Sequence, residues 1–159
     1  MRAHRNARRA AALAALACAG LLAAGCSSPP ADPAPHLLSG SIGGNAVAFL
    51  QPFKTHSSGT VVANGTGYTL YWFGPDTPAY SACGSVCLPQ WPPVTGAPEP
   101  AAGTALAGQL GTMRRSDGVV QATYDGHPLY TFAGDFDPGD VGGNGVVQFG
   151  GTWHVVRPG

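Results

Sequence analysis

Charge is scarce in this chain, and positive charge is scarcest where a polyanion would need it. Charged side chains make up 10% of the 159 residues, and four of the eight basic ones, Arg2, Arg5, Arg8 and Arg9, crowd into the first nine positions. From Cys26 onward only Lys54, Arg114, Arg115 and Arg157 are basic, against eight acidic residues, which gives a net charge of −4. No basic patch can be assembled from so few cations, which argues against a nucleic-acid partner. Also missing, outside the first 25 residues, is any sustained apolar period of 3.6, so the chain does not read as helical. Gly-x-Ser-x-Gly, His-Glu-x-x-His and phosphate-cradling glycine loops are absent too, and with them any motif-based case for an enzyme. The expectation is therefore of a non-catalytic protein. Glycine and proline are plentiful instead, at 24 and 15 residues, the composition of a small domain with many turns.

The basic start is followed by Ala10 to Ala24, an uncharged run of Ala, Leu, Gly and Cys. A basic segment leading into so short an apolar one is expected to be a signal peptide, residues 1–25, because a spanning helix needs about 20 apolar residues. The run closes on Leu22-Ala23-Ala24-Gly25-Cys26, which resembles a lipobox, with Ala23 where leucine is commoner. Cys26 is thus the expected site of lipidation, with the membrane as partner through that anchor; an ordinary signal peptide cut nearby would leave it a free thiol. Arg8-Arg9 lacks the Phe of a twin-arginine signal. Residues 26–40, rich in Pro, Ser and Ala, read as a tether. The expected location is outside the cytoplasm, lipid-anchored to the outer face of the cytoplasmic membrane or otherwise in the cell envelope. There, Cys83 and Cys87 are the two remaining thiols, and they are expected to form a disulfide.

An internal repeat organises the remainder, residues 41–159. Gly67 to Asp76 and Gly126 to Asp135 both read Gly-x-x-Leu-Tyr-x-Phe-x-x-Asp, and the 59-residue offset runs without a gap from Gly59/Gly118 to Asp76/Asp135. Trp91 and Trp153 follow at an offset of 62. The repeats are placed at about 59–94 and 113–156. A Ser-x-Cys-x-x-x-Cys segment (Ser81 to Cys87) leads to Trp91-Pro92-Pro93, and Arg-x-Asp-Gly-x-x-Gln-x-x-Tyr-x-Gly-x-Pro-Leu-Tyr runs from Arg115 to Tyr130. Together these features resemble a bacterial family of secreted repeats named for its Tyr-x4-Asp motif, which includes predicted lipoproteins. The likeness covers about Gly59 to Val156 and implies class and location, with no established activity.

The fold class expected is all-β. Strands are predicted at Ala46–Phe53, Gly59–Ala63 and Tyr68–Phe73, the last two joined by a two-residue Asn64-Gly65 turn. The second copy repeats the plan with Gly118–Tyr124, the turn Asp125-Gly126, and Leu129–Phe132; strands at 146–149 and 153–156 complete it. Residues 89–111 are expected to be a linker, with at most a helical turn in 101–110. Leu70, Trp72, Leu129 and Thr131 should face one side, and Tyr71, Phe73, Tyr130 and Phe132 the other. Two tandem hairpin-containing repeats should pack as a small sandwich or barrel-like domain with pseudo-two-fold symmetry, burying Leu70, Leu129, Trp91 and Trp153.

Two accounts fit the motif residues Tyr71, Phe73, Asp76, Tyr130, Phe132 and Asp135. In the structural one, which the repetition favours, the aromatics fill the core, each Asp takes backbone N–H groups of its following turn, and each set supports its own copy. In the other, the two sets converge on the pseudo-two-fold axis to bind a ligand or cation. Asp135, Asp137 and Asp140 cluster as oxygen ligands for Ca²⁺ would, although their spacing is not that of an EF-hand. His36, His56, His127, His154 and Met113 are candidate ligands for haem or a transition metal, yet no ligand spacing unites them, and Leu88 rather than His follows Cys87. The function expected is a binding or scaffold module of the envelope, whose partner is an envelope protein or small molecule; the alternative is a redox or electron-transfer accessory holding haem or a metal.

Overall fold

The computed structural model describes residues 46–159. The signal peptide, Cys26, the tether and His36 lie outside them. Nine strands follow in order: β1 Val47–Lys54, β2 Thr60–Asn64, β3 Tyr71–Phe73, β4 Ala97–Pro100, β5 Leu110–Arg114, β6 Val120–Tyr124, β7 His127–Pro128, β8 Val147–Gln148 and β9 Gly151–Val155. They form three three-stranded sheets, ordered β2-β1-β4, β3-β9-β8 and β5-β6-β7. Among the described residues there is no helix, and the all-β class and the repeat are both as the sequence predicts.

The two hairpins differ in a way the repeat does not reveal. In the second copy Asp125 and Gly126 both have positive φ, 49° and 78°, and Tyr124 pairs with His127 across them. That is the two-residue mirror-image turn whose twist matches the strands. In the first copy the Asn64-Gly65 dipeptide does not form such a turn. Gly67 N–H bonds Asn64 C=O and Asn64 N–H bonds Tyr68 C=O, both at 2.9 Å, so the loop is three residues long with Gly67 at φ 91°. The Asn64 Oδ1 accepts the N–H groups of Thr66 and Tyr68, each at 3.0 Å. Asparagine here caps a wider loop instead of occupying its tip.

Residues Pro89 to Gly111 are more than a linker. β4 pairs in parallel with β1, Val47 opposite Ala97, and Gly96 N–H bonds Val120 C=O at 2.9 Å. No helical turn forms in 101–110. Tyr68–Phe73 is β2's partner only as far as Leu70, whose N–H bonds Val62 C=O at 2.9 Å. Beyond Leu70 the chain leaves its own hairpin. β3 pairs with β9 of the other repeat, Phe73 opposite Trp153. The reciprocal event occurs in copy two: Tyr130 bridges to Pro93, while Thr131 N–H and Ala133 N–H bond the carbonyls of Pro92 and Gln90, each at 2.9 Å. Each repeat's motif segment therefore pairs with the other repeat's tryptophan segment.

Alternation along these segments splits the core in two. Val61, Tyr71, Phe73, Cys83, Cys87, Trp91, Tyr130, Trp153 and Val155 form one cluster. Leu50, Val62, Leu70, Ala122, Tyr124, Leu129 and Val156 form the other, with Trp72 partly buried against it.

Candidate functional site: the reciprocal tyrosine–aspartate centre

The centre is built where the two motif segments meet. Tyr71 N–H bonds Tyr130 C=O and Tyr130 N–H bonds Tyr71 C=O, both at 2.9 Å. This closed pair of bonds sits on the pseudo-two-fold axis. From it each tyrosine reaches into the opposite repeat. The Tyr71 hydroxyl donates to Asp135 Oδ2 at 2.6 Å, and the Tyr130 hydroxyl donates to Asp76 Oδ2 at 2.7 Å. The other carboxylate oxygens accept backbone N–H groups, Asp76 Oδ1 from Ala82 at 2.7 Å and Asp135 Oδ1 from Gly142 at 2.9 Å. So each Asp does take a backbone N–H of its own following turn, but the tyrosine that bonds it belongs to the other copy. Short contacts of hydroxyl to carboxylate are the stronger, charge-assisted kind.

Four rings stack beside the axis. Trp91 and Trp153 lie 3.7 Å apart between centroids and within 3° of parallel. Phe73 stacks on Trp153 at 4.3 Å, and Phe132 lies tilted by 31° on Trp91 at 4.4 Å. Tyr71 and Tyr130 present edges to Trp91 and Trp153, at 5.5 Å and 5.1 Å, as ring quadrupoles prefer. Gly143 is needed beside them, because a Cβ there would come within 2.9 Å of Tyr71 and 2.8 Å of Trp91. Trp91 Nε1 reaches Gln148 at 3.4 Å, whereas Trp153 Nε1 is buried with no partner among the described residues.

The two halves of the centre are not equivalent. Around Asp76, Ser81 Oγ lies 2.6 Å from the Tyr130 hydroxyl. Arg115, buried, donates to Ser81 Oγ at 2.7 Å, Cys83 C=O at 2.7 Å and Gln121 Oε1 at 2.8 Å. It also pairs with the exposed Asp117 at 3.2 Å. Around Asp135 the corresponding place is taken by the turn at Gly142 and Gly143, whose N–H reaches the Tyr71 hydroxyl at 3.3 Å. Arg115, Ser81 and Gln121 were not singled out from sequence. All three stand in the two quoted runs, Ser81 to Cys87 and Arg115 to Tyr130, and that was the available signal. The Cys83–Cys87 disulfide is formed; it fixes the loop that presents Ala82 N–H and Cys83 C=O to this network.

Burial raises the carboxyl pKa values of both Asp76 and Asp135, with the tyrosine hydroxyls opposing that shift. Burial likewise pushes both tyrosine hydroxyls far up, so they stay protonated donors. A carboxyl raised in the folded state contributes stability that is complete below its unfolded pKa, about 3.9, and is lost as pH rises through the folded value. Asp117 and Asp140, held low by backbone N–H bonds, act in the opposite sense. The expected result is specific to the centre: the wild type's advantage over Asp76→Asn in urea midpoint grows on acidification from pH 7 toward the ordinary carboxylate range. A gap that stays constant or narrows would show that Asp76 is not titrating from a raised value.

Among the described residues the cation and haem candidates are not assembled. Asp140 Oδ2 accepts the N–H groups of Phe136 and Asp137, each at 3.0 Å, and so caps its own loop, while Asp135 faces Tyr71. Among the described residues no group of three or more His, Cys, Asp or Glu is arranged to hold a metal ion. His127 of β7 and His154 of β9 each lie 4.5 Å from the Trp72 ring. His56 is exposed on the β1–β2 turn and Met113 is buried in β5.

Fold and centre together define a two-repeat β module in which each repeat supplies the tyrosine for its partner's carboxylate. The chain belongs to the Lipoprotein_15 family, described as a secreted repeat of unknown function, whose model matches residues 53–95 and 111–157. No curated protein matches the chain, and no solved structure matches it.

Proposed function

We propose that this is a lipid-anchored, non-catalytic module of the cell envelope, held at the membrane by Cys26 and presenting a rigid surface to an envelope ligand or partner. The observation that carries the reading is the reciprocal Tyr–Asp pairing. The groups best suited to acid–base chemistry, Asp76, Asp135, Tyr71 and Tyr130, are bonded to one another across the repeats. Carboxylates spent in this way hold a structure together, each oxygen already accepting a donor of the protein. Export agrees with the family's description as secreted; the anchor rests on the basic start, the apolar run and Leu22-Ala23-Ala24-Gly25-Cys26. Two acyl chains hold a protein stably where one gives only marginal, reversible binding. Growth with an alkyne fatty acid should label the wild type and leave Cys26→Ser unlabelled and released from membranes. Equal labelling of both, or membrane retention of Cys26→Ser, would remove the anchor from the reading.

A further inference from the structure

A groove of about 440 Å³ opens where the described chain begins. Its walls are Ala46, Thr95, Ala97, Thr112, Val119 and Val120, with Gly96 at the base, and no charged residue lines it. Its size falls within the roughly 300–1,000 Å³ of small-molecule sites. The surface continuing from it is apolar as well: Val47 is 43% exposed and pairs with Ala97, and Phe49, two residues on, is 52% exposed. Val119 and Val120 stand out at 38% and 36%. Apolar surface gathered around a concavity in a chain this rich in polar turns marks a binding site.

The backbone says what kind of occupant it suits. Gly96 N–H is bonded to Val120 C=O, Ala97 N–H to Ala46 C=O, and Arg115 N–H to Val119 C=O, at 2.8–2.9 Å. These three donors are taken, and the methyl groups of Ala46, Ala97, Val119 and Val120 suit a hydrocarbon chain, which brings no polar group of its own to be left unpaired. Position points the same way. Ala46 is a wall of the groove and follows Cys26 by 20 residues, so the polypeptide that leads to the expected anchor arrives at this rim.

We infer that the groove takes a single acyl chain of a lipid from the membrane to which the protein is tethered. The inference deepens the envelope reading and rests on it for the source of the lipid. The test uses the exported chain carrying Cys26→Ser, titrated with cis-parinaric acid, a fatty acid that fluoresces in apolar surroundings. Saturable one-to-one binding is expected. Val120→Asp, which sets an unpaired charge against the chain, and Thr112→Trp, which fills the groove from an exposed position, should each weaken it about ten-fold or more. Val147→Asp, 75% exposed on β8, should bind as the parent does. Near-ultraviolet circular dichroism confirms that each variant is folded. No saturable binding by the parent overturns the inference, as does undiminished binding by a folded groove variant. Self-association of the parent that Thr112→Trp abolishes would assign the groove to a second copy and overturn it equally. Failure here leaves the anchor at Cys26 standing, and an unlabelled Cys26 leaves the groove standing.

Discussion

Cutting the chain between Gly103 and Thr104, at an exposed point between the repeats, should give two halves of which neither folds alone. Each half would keep its hairpin, β1–β2 or β5–β6, but lose the partner of its motif segment. β3 pairs with β9, and Tyr71 with Tyr130, both of the other half, and Leu129 to Ala133 bonds to Gln90, Pro92 and Val94 of the other half. The stack loses its centre as well, since Trp91 and Trp153 come from different halves. An isolated two-stranded hairpin is marginal in water, and a unit as small as either half is marginal even with its full core. Near-ultraviolet ellipticity and dispersed amide resonances are expected only when the two halves are mixed. A dispersed spectrum from either half alone would mean that the repeats are self-sufficient and the interlock is decoration.

The second large effect is a coupling. Tyr71→Phe strands Asp135 Oδ2 in a buried place, and Asp135→Asn offers one acceptor oxygen to two donors, the Tyr71 hydroxyl and Gly142 N–H. Leaving a buried polar group unsatisfied costs about 1–3 kcal/mol, more when the group is charged. Each single variant should lose stability on that scale, a large share of a typical total of about 5–15 kcal/mol. The double variant should lose clearly less than the two together, with a coupling of about 0.5–3 kcal/mol. Tyr71→Phe combined with Asp76→Asn should instead be close to additive, because those two groups share no hydrogen-bond partner. The same pattern is expected for Tyr130 with Asp76, enlarged by Ser81, which meets the Tyr130 hydroxyl, and by Arg115, which donates to Ser81. Urea melts of the eight proteins, the parent, four single variants and three doubles, read it directly. Strong coupling within a repeat and none across would reverse the assignment of partners.

The repeat, the all-β class and the burial of Leu70, Leu129, Trp91 and Trp153 follow from order along the chain. Strand alternation has a period of two, so Leu70 and Tyr71 must face opposite sides whatever the neighbours are. The Cys83–Cys87 bond spans four positions and is local too. The Asp125-Gly126 turn was legible because two consecutive residues must adopt positive φ there, and those types tolerate it. Asn64-Gly65 carried the same signal and formed a three-residue loop. Local preference at Asn64 is satisfied equally by capping Thr66 and Tyr68, and the register of the surrounding strands chooses between the two.

What sequence could not decide is which copy answers which. Two identical Tyr-x4-Asp segments allow each tyrosine to bond its own carboxylate or its twin's, and the one-dimensional pattern is the same in both cases. The choice is made by the Tyr71–Tyr130 backbone pair, which turns each side chain toward the opposite repeat. The parallel pairing of β4 with β1 and the recruitment of Arg115 to Ser81, 34 residues away, are likewise long-range. So is the bond that Asp135 accepts from Tyr71, 64 residues away, while Asp140, five residues on, caps its own loop. Pairing between distant segments depends on what each buries once the chain has closed on itself, and that is a property of the packed molecule.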